Sequence, residues 1–280
     1  MSKEENVKII YDTLDLCRKN EILAESIQYS IENQHLYLEG EEIEIDSINR
    51  FEKPAEIIFS TKRTLEAAGG YEDKKVAALN FASSLNPGGG VMYGARAQEE
   101  AICRCSTLLP CLEDEYLIDN FYLKHRNNKD MGLMDNNYND DCIYTPKVCV
   151  FKSDTLSPQL MDEGDWYDVD IITCAAPNLY RKKSYFGDGS PKIKAEELKE
   201  LHIKRFTQIF NAAVKENADV LILGAFGCGA FKNPPEVVAE AAYEVIQEYL
   251  HSFETIEFAI YSSEGESKNM STFKRVFNIV

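Results

Sequence analysis

Two adjacent carboxylates, Glu99 and Glu100, follow a run of three glycines in the segment 79–100, LNFASSLNPGGGVMYGARAQEE. Carboxyl groups can donate and accept protons, and consecutive glycines let a backbone adopt positive φ and approach a ligand closely. Three glycines alone are typical of a surface turn, and two acids alone of a solvated helix face. Here the glycines follow an apolar strand and the acids begin the next helix, where α/β sheets bind ligands. The segment therefore predicts a ligand site.

A second glycine-rich segment, GAFGCGAFKNPP at 224–235, also follows an apolar run and precedes a helix. Its backbone amides, with the helix end behind them, can bind a pyrophosphate. The segment is not a Walker loop, because no Gly-Lys-Ser/Thr follows, and the dinucleotide fingerprint fails at its third glycine. The alternative is a tight strand-to-helix turn in which the two phenylalanines are core residues.

The elements that must position these segments alternate along the chain from residue 55. Six short apolar runs rich in β-branched and aromatic residues predict buried strands. The segments between them predict helices, including 95–112 up to the proline, 194–217 and 234–251. Alternation of this kind indicates a layered α/β sheet with helices on both faces. The predicted strands are EIIFS, KKVAALNFA, KVCVFKS, DVDIITCAA, ADVLILGAF and TIEFAIYS.

The first 54 residues differ from the rest of the chain. Apolar residues at helical spacing predict a helix over 3–19. The segment 20–50 predicts short extended pieces around IQYSI and HLYL, followed by a polar turn. The polar, Asn-rich stretch 125–141 predicts a loop. We expect residues 1–54 to form a mainly helical extension packed on a core domain that spans 55–280.

Composition excludes several classes of protein. The chain has 280 residues, 44% of them hydrophobic, and a net charge of −17, which disfavours a disordered chain and direct nucleic-acid binding. No apolar stretch approaches the roughly 20 residues that span a membrane. The charged start carries no apolar signal region, and eight cysteines without a CxxC pair indicate reduced thiols. We expect a cytoplasmic protein that requires neither a metal nor a cofactor.

Taken together, the two glycine-rich segments resemble the macrodomain fold, and specifically the microbial type of poly(ADP-ribose) glycohydrolase. The family signature, GGG followed seven residues later by QEE, matches residues 88–100. The diphosphate loop of the family matches 227–231, GCGAF, and a third match is AAPN at 175–178. The resemblance runs from about residue 56 to the C-terminus. It implies a macrodomain-like three-layer α/β/α sandwich, to which the helical N-terminal extension is added.

The resemblance also implies roles for individual residues. Glu100 is the implied general acid/base, which protonates the departing oxygen of a ribose–ribose bond and then activates water. Glu99 is the implied partner that binds ribose hydroxyls and fixes the ring. Asn80 is a weaker candidate for a polar contact to the same ribose. The residues implied to bind substrate are Asn86, Gly88, Gly89, Gly90, Gln98, Gly224, Phe226, Gly227, Cys228, Gly229, Ala230 and Phe231.

Three functions are consistent with these residues. The first is a poly(ADP-ribose) glycohydrolase that releases ADP-ribose, which the intact Gln98-Glu99-Glu100 motif favours. The second is a macrodomain that binds ADP-ribose without cleaving it. The third is hydrolysis of another ADP-ribosyl linkage, on protein, on nucleic acid or in a metabolite. The implied partner in each case is ADP-ribose or its polymer, and no membrane is involved.

Overall fold

A mixed sheet of seven strands lies at the centre of the computed structural model, which describes residues 1–180, 193–263 and 265–279. The strand order is β1-β4-β5-β3-β6-β7-β2. The strands β3, β5, β6, β7 and β2 pair in parallel, whereas β4 pairs antiparallel with β5 and β1 with β4. Their bounds are β1 His35–Tyr37, β2 Glu56–Ser60, β3 Val76–Phe81, β4 Cys142–Val150, β5 Tyr167–Cys174, β6 Val220–Leu223 and β7 Thr255–Ala259.

Helices cover both faces of this sheet. Phe206, Ile209 and Val238 belong to a buried cluster on one face, and Ile10 and Ile102 to a cluster on the other. The protein is therefore a three-layer α/β/α sandwich, as the sequence predicts. The helices of the described residues are α1 Lys3–Lys19, α2 Glu21–Asn33, α3 Thr64–Ala68, α4 Gln98–Cys105, α5 Leu108–Leu112, α6 Glu115–Leu117, α7 Lys124–Asp130, α8 Ala195–Lys215, α9 Pro235–Ile246 and α10 Lys268–Val276, with a π-helical turn at Ile118–Leu123.

The sheet topology brings the two glycine-rich segments together. The strands β3 and β6 are parallel neighbours, so their carboxyl ends lie at the same edge of the sheet. The segment that carries Glu99 and Glu100 follows β3, and the segment 224–235 follows β6. Ligands bind at this edge in α/β folds. The fold thus creates one site from two segments that are more than 120 residues apart.

All six predicted strands are present, but three local predictions are wrong. IQYSI is helical, within α2, because the side chain of Asn20 accepts a hydrogen bond from the amide of Leu23 at 3.1 Å and caps that helix. The predicted helix 95–112 is interrupted at Thr107, whose amide and hydroxyl both bond to Cys149 of β4. The predicted loop 125–141 begins as helix, because α7 buries His125.

The first helix is bound to the core by buried polar contacts. The side-chain nitrogen of Asn6 donates to the carbonyl of Gly94 at 3.1 Å, and the hydroxyl of Thr13 donates to the carbonyl of Arg104 at 2.8 Å. The ammonium of Lys152 is buried and binds Asp12 at 2.7 Å. None of the described helices is both long and apolar enough to span a membrane. The division of the chain at residue 54 stays a prediction.

Candidate active site

The two carboxyl groups of α4 are buried at the carboxyl edge of the sheet. Glu99 is 3% exposed and Glu100 is 6% exposed. Oε2 of Glu99 accepts a hydrogen bond from the amide of Ser83 at 2.8 Å, and Oε1 of Glu100 accepts one from the amide of Gly90 at 2.8 Å. The second oxygen of each carboxyl group is buried and has no hydrogen-bond partner among the described residues. Buried polar atoms are nearly always paired, so each of these two oxygens can still form a hydrogen bond with a ligand.

The environment of Glu99 favours its protonated form. Burial raises the pKa of Glu99 well above its usual value, the neighbouring Glu100 raises it further, and the hydrogen bond from the amide of Ser83 opposes the shift. A neutral carboxyl group can donate a hydrogen bond as well as accept one. Glu99 can therefore bind a ligand hydroxyl in either sense.

The glycine turn lies directly against the acids. Gly88 and Gly89 have φ of +63° and +59°, a conformation that favours glycine. A Cβ on Gly89 would lie 2.7 Å from Oε1 of Glu100 and 2.7 Å from Oε2 of Glu99. A Cβ on Gly88 would instead lie 2.8 Å from Leu109. Gly89 thus leaves room for the carboxyl groups, and Gly88 leaves room for the helix behind them.

Gln98 joins the start of α4 to the end of β3. Its side-chain oxygen accepts from the amide of Phe81 at 2.8 Å, and its side-chain nitrogen donates to the carbonyl of Leu79 at 2.7 Å and to the hydroxyl of Thr64 at 3.0 Å. Gln98 borders the cleft, but both ends of its amide are used within the protein. This arrangement fixes the direction in which α4 presents the next two side chains. The neighbouring Asn80 donates to Thr173 at 3.2 Å, and its buried oxygen has no partner in the described chain.

The loop after β6 presents backbone amides. The amides of Gly227, Gly229, Ala230 and Phe231 donate to no acceptor in the described ranges. Gly227 has φ of +73°, and a Cβ there would lie 2.5 Å from the side-chain nitrogen of Asn233. Several free amides in one turn form a site for an anion such as a diphosphate. The loop can therefore bind an anion although the chain carries a net charge of −17.

Asn233 holds this loop in place. Its nitrogen donates to the carbonyls of Pro177 at 2.7 Å and Gly227 at 3.1 Å, and its oxygen lies 3.0 Å from Nε2 of His202. Burial lowers the pKa of His202 to about 4, so the imidazole is neutral near pH 7 and donates its Nε2 proton to Asn233. The anion loop is thus fixed to both β5 and α8.

An aromatic pair lies beside the anion loop. The ring centres of Phe231 and Tyr138 are 6.2 Å apart, and the side-chain nitrogen of Asn178 donates to the hydroxyl of Tyr138 at 3.4 Å. The buried guanidinium of Arg205 donates to the carbonyls of Asn137 and Asn139 on either side of Tyr138. Sequence reasoning missed Tyr138, because it lies in the Asn-rich segment that predicts only a loop.

The two carboxyl groups, the glycine turn, Gln98, the anion loop and the aromatic pair line one cleft of about 1210 Å³. It also includes Arg63, which forms an ion pair with Asp154 at 2.7 Å and lies over the ring of Tyr261. Neither Arg63 nor Tyr261 stands in a motif that would have identified it. Of the residues predicted to act on or bind substrate, ten line the cleft: Asn86, Gly89, Gly90, Gln98, Glu99, Glu100, Gly227, Gly229, Ala230 and Phe231.

The other four predicted substrate-binding residues, Gly88, Gly224, Phe226 and Cys228, do not line the cleft. Phe226 is fully buried and packs on Phe81, with ring centres 5.7 Å apart, so the core interpretation of this residue is the correct one. A Cβ on Gly224 would lie 2.8 Å from the same ring. Burial raises the pKa of Cys228 to about 12, so its thiol is not a nucleophile near pH 7.

No group of three His, Cys, Asp or Glu side chains is arranged to hold a metal ion in residues 1–180, 193–263 and 265–279.

A family model described as the microbial-type PARG (poly(ADP-ribose) glycohydrolase) catalytic domain matches residues 4–153. The chain belongs to this family. The match begins within α1, so the helices before residue 54 fall inside the region that the catalytic-domain model describes.

Solved structures of microbial PARG extend the similarity over the anion loop. The poly(ADP-ribose) glycohydrolase of Thermomonospora curvata is 27% identical, with a TM-score of 0.78 over 98% of this chain and 100% of that chain. A structure of the same enzyme bound to the inhibitor ADP-HPD is 26% identical, with a TM-score of 0.77 over 97% and 99%. The Deinococcus radiodurans enzyme in complex with ADP-ribose is 26% identical, with a TM-score of 0.74 over 90% and 96%. The search of curated proteins gives no match.

Proposed function

We propose that this PARG-family protein hydrolyses the ribose–ribose O-glycosidic bond of poly(ADP-ribose) and releases ADP-ribose, with Glu100 as general acid and base. The observation that carries the proposal is the pair of buried carboxyl groups, each with one oxygen that no described residue binds, in a cleft that also presents backbone amides without an acceptor in the described ranges. The carboxyl groups supply the chemistry, and the amides supply the affinity for a diphosphate.

Glu100 performs both proton transfers. Its Oε1 is held by the amide of Gly90, so Oε2 is the oxygen available to the substrate. The protonated carboxyl group gives its proton to the departing ribose oxygen as the bond to the anomeric carbon breaks and positive charge develops there. The carboxylate that remains takes a proton from a water molecule, whose oxygen then forms the new bond to the anomeric carbon. Glu100 ends the cycle protonated again.

Glu99 binds the ribose and does not transfer the proton. Its Oε2 is held by the amide of Ser83, and its free Oε1 accepts from or donates to a ribose hydroxyl. Such a contact fixes the anomeric carbon relative to Glu100. Correct placement of reacting groups contributes a large part of enzymatic rate acceleration.

The ADP portion binds on the other side of the cleft. The free amides of 227–231 receive the diphosphate, and the rings of Phe231 and Tyr138 pack on the adjoining ribose.

We also propose that the protein acts in the cytoplasm. Its eight cysteines are all free, and seven of them are buried, as in proteins of reducing compartments.

The test incubates the wild type and Glu100→Gln with poly(ADP-ribose) and measures the release of ADP-ribose by chromatography. The amide variant keeps an oxygen for the amide of Gly90 but has no proton to transfer, so we expect kcat to fall roughly 10²–10⁴-fold while ADP-ribose still binds. Tight binding of ADP-ribose by both proteins without any product would instead indicate a binding module. Release from a protein or nucleic-acid linkage alone would assign the other hydrolase function.

A further inference from the structure

We infer that Tyr93 and Arg96 form a second nucleotide subsite, which binds the ADP-ribose unit on the leaving side of the scissile bond. This inference rests on the proposed function, because only a polymeric substrate has a nucleotide on both sides of that bond. The ligand chemistry is an adenine ring together with a diphosphate. The two side chains lie on the loop between the glycine turn and α4, and both line the cleft.

Backbone hydrogen bonds join this loop directly to the acid. The amide of Gly90 donates to Glu100, while the carbonyl of the same glycine accepts from the amides of Tyr93 at 3.0 Å and Ala95 at 3.2 Å. The backbone of this loop is therefore joined to the same glycine that holds the carboxyl group proposed to protonate the departing oxygen.

Tyr93 has the exposure expected of a stacking platform. It is 82% exposed, the highest value for any large hydrophobic residue in the described part of the chain. A tyrosine held in water at the rim of a cleft gains little for folding, whereas an aromatic face stacks on any nucleobase. Its backbone is fixed by a short 3₁₀ turn, Val91–Tyr93, so the ring is presented from an ordered segment.

Arg96 is the cationic side chain of the cleft that has no partner in the described residues. The other cationic side chains that border the cleft are engaged: Arg63 pairs with Asp154, Arg104 donates to the carbonyl of Ala95, and the ammonium of Lys129 lies over the ring of Tyr138. Arg96 is exposed and forms none of the ion pairs found in the described ranges. A guanidinium suits a phosphate in geometry and charge.

The volume of the cleft is consistent with two bound units of the polymer, one on each side of the scissile bond. A pocket for one small ligand measures about 300–1,000 Å³, and this cleft measures about 1210 Å³. The released unit occupies the side formed by the free amides and Phe231. The space beside Tyr93 and Arg96 then remains for the unit that leaves.

The test compares Tyr93→Ala and Arg96→Gln with the wild type on poly(ADP-ribose) chains of one defined length. We expect KM to rise about tenfold in each variant, because a stacked base or a phosphate contact is lost, with kcat and the inhibition constant of free ADP-ribose unchanged. Arg96→Gln should also reduce the slope of log(kcat/KM) against log salt by about one. Tyr93→Phe should keep the wild-type KM.

Arg18→Gln and Tyr116→Ala are matched controls, since they make the same changes at exposed positions that do not line the cleft. The inference is overturned if KM and the salt slope of the two test variants equal those of the controls. It is also overturned if the inhibition constant of ADP-ribose rises together with KM, because the residues would then bind the released unit. A wild type that releases no ADP-ribose overturns the proposed function itself.

Discussion

Gly89 is in contact with both carboxyl groups of the site. Its φ of +59° suits glycine, and the space that a Cβ would occupy is filled by one oxygen of Glu99 and one of Glu100. The requirement for positive φ can be separated from the requirement for space, since Gly132 has a similar φ of +70° with no atom within 4 Å of its Cβ position. Conformation and contact can therefore be tested with one pair of variants.

Gly89→Ala should nearly abolish hydrolysis, whereas Gly132→Ala should not affect it. Both substitutions place a side chain in the left-handed region, which costs about 1–2 kcal/mol of stability. Only Gly89→Ala must displace the carboxyl groups, and a shift of about 1 Å in a reacting group can lower kcat about 100-fold. The measurements are the melting temperature and kcat of each variant. Equal kcat values would show that the acids do not depend on this contact.

At the scale of elements, α8 aligns two walls of the cleft. His202 and Arg205 lie three residues apart, on one side of the helix. His202 holds Asn233 of the anion loop, and Arg205 holds the backbone around Tyr138. Both side chains are fully buried, so their contacts are shielded from solvent. One helix thereby holds the anion loop and the segment of Tyr138 in fixed positions relative to each other.

The buried imidazole of His202 should make the protein sensitive to acid. Its pKa is about 4 in the folded state and about 6.5 when unfolded, so the unfolded state binds more protons between these values and stability falls as pH falls. This group alone should cost roughly 2 kcal/mol between pH 8 and pH 5. Denaturant unfolding at both pH values should show a smaller loss for His202→Gln than for the wild type. An equal loss would contradict the burial of a neutral imidazole.

The sequence predicts the strands and the two glycine-rich segments well, because local apolar patterning specifies both. It does not predict that Thr107 interrupts a helix, since the cause is a hydrogen bond to β4, 42 residues away. Tyr138 is missed for the same reason: Arg205 and Asn178 place its ring beside Phe231, and both are distant in sequence. Phe226 is wrongly assigned to the cleft because its direction depends on core packing. Local pattern determines the elements, and long-range contacts determine which side chains meet.

At the scale of the whole molecule, α1 supports the loop between the glycine turn and α4. The side chain of Asn6 donates to the carbonyl of Gly94, and a Cβ on Gly94 would collide with the carbonyl of Lys3. Gly94 lies between Gly90, which holds Glu100, and the start of α4. The first helix is therefore part of the structure that places the acid.

Asn6→Ala should lower both stability and activity. Loss of this buried hydrogen bond costs about 1–3 kcal/mol, and release of the loop at Gly94 should lower kcat about tenfold. Ser30→Ala is the matched control, since its hydroxyl is also buried on an N-terminal helix and donates to the carbonyl of Pro146 at 2.7 Å. The control should lose similar stability, measured by denaturant unfolding, and keep the wild-type kcat. A parallel fall in kcat in both variants would indicate a general effect of stability.

The acids and the anion loop both use main-chain amides, those of Ser83 and Gly90 for the carboxyl groups and those of Gly227, Gly229, Ala230 and Phe231 for the proposed diphosphate. A point mutation changes a side chain and leaves the amide of the same residue in place, unless the new residue is proline. Few point mutations would therefore weaken the binding of an inhibitor whose polar groups accept from these amides. A single substitution at Tyr93 or Arg96 would be enough to weaken a compound that depends on either side chain.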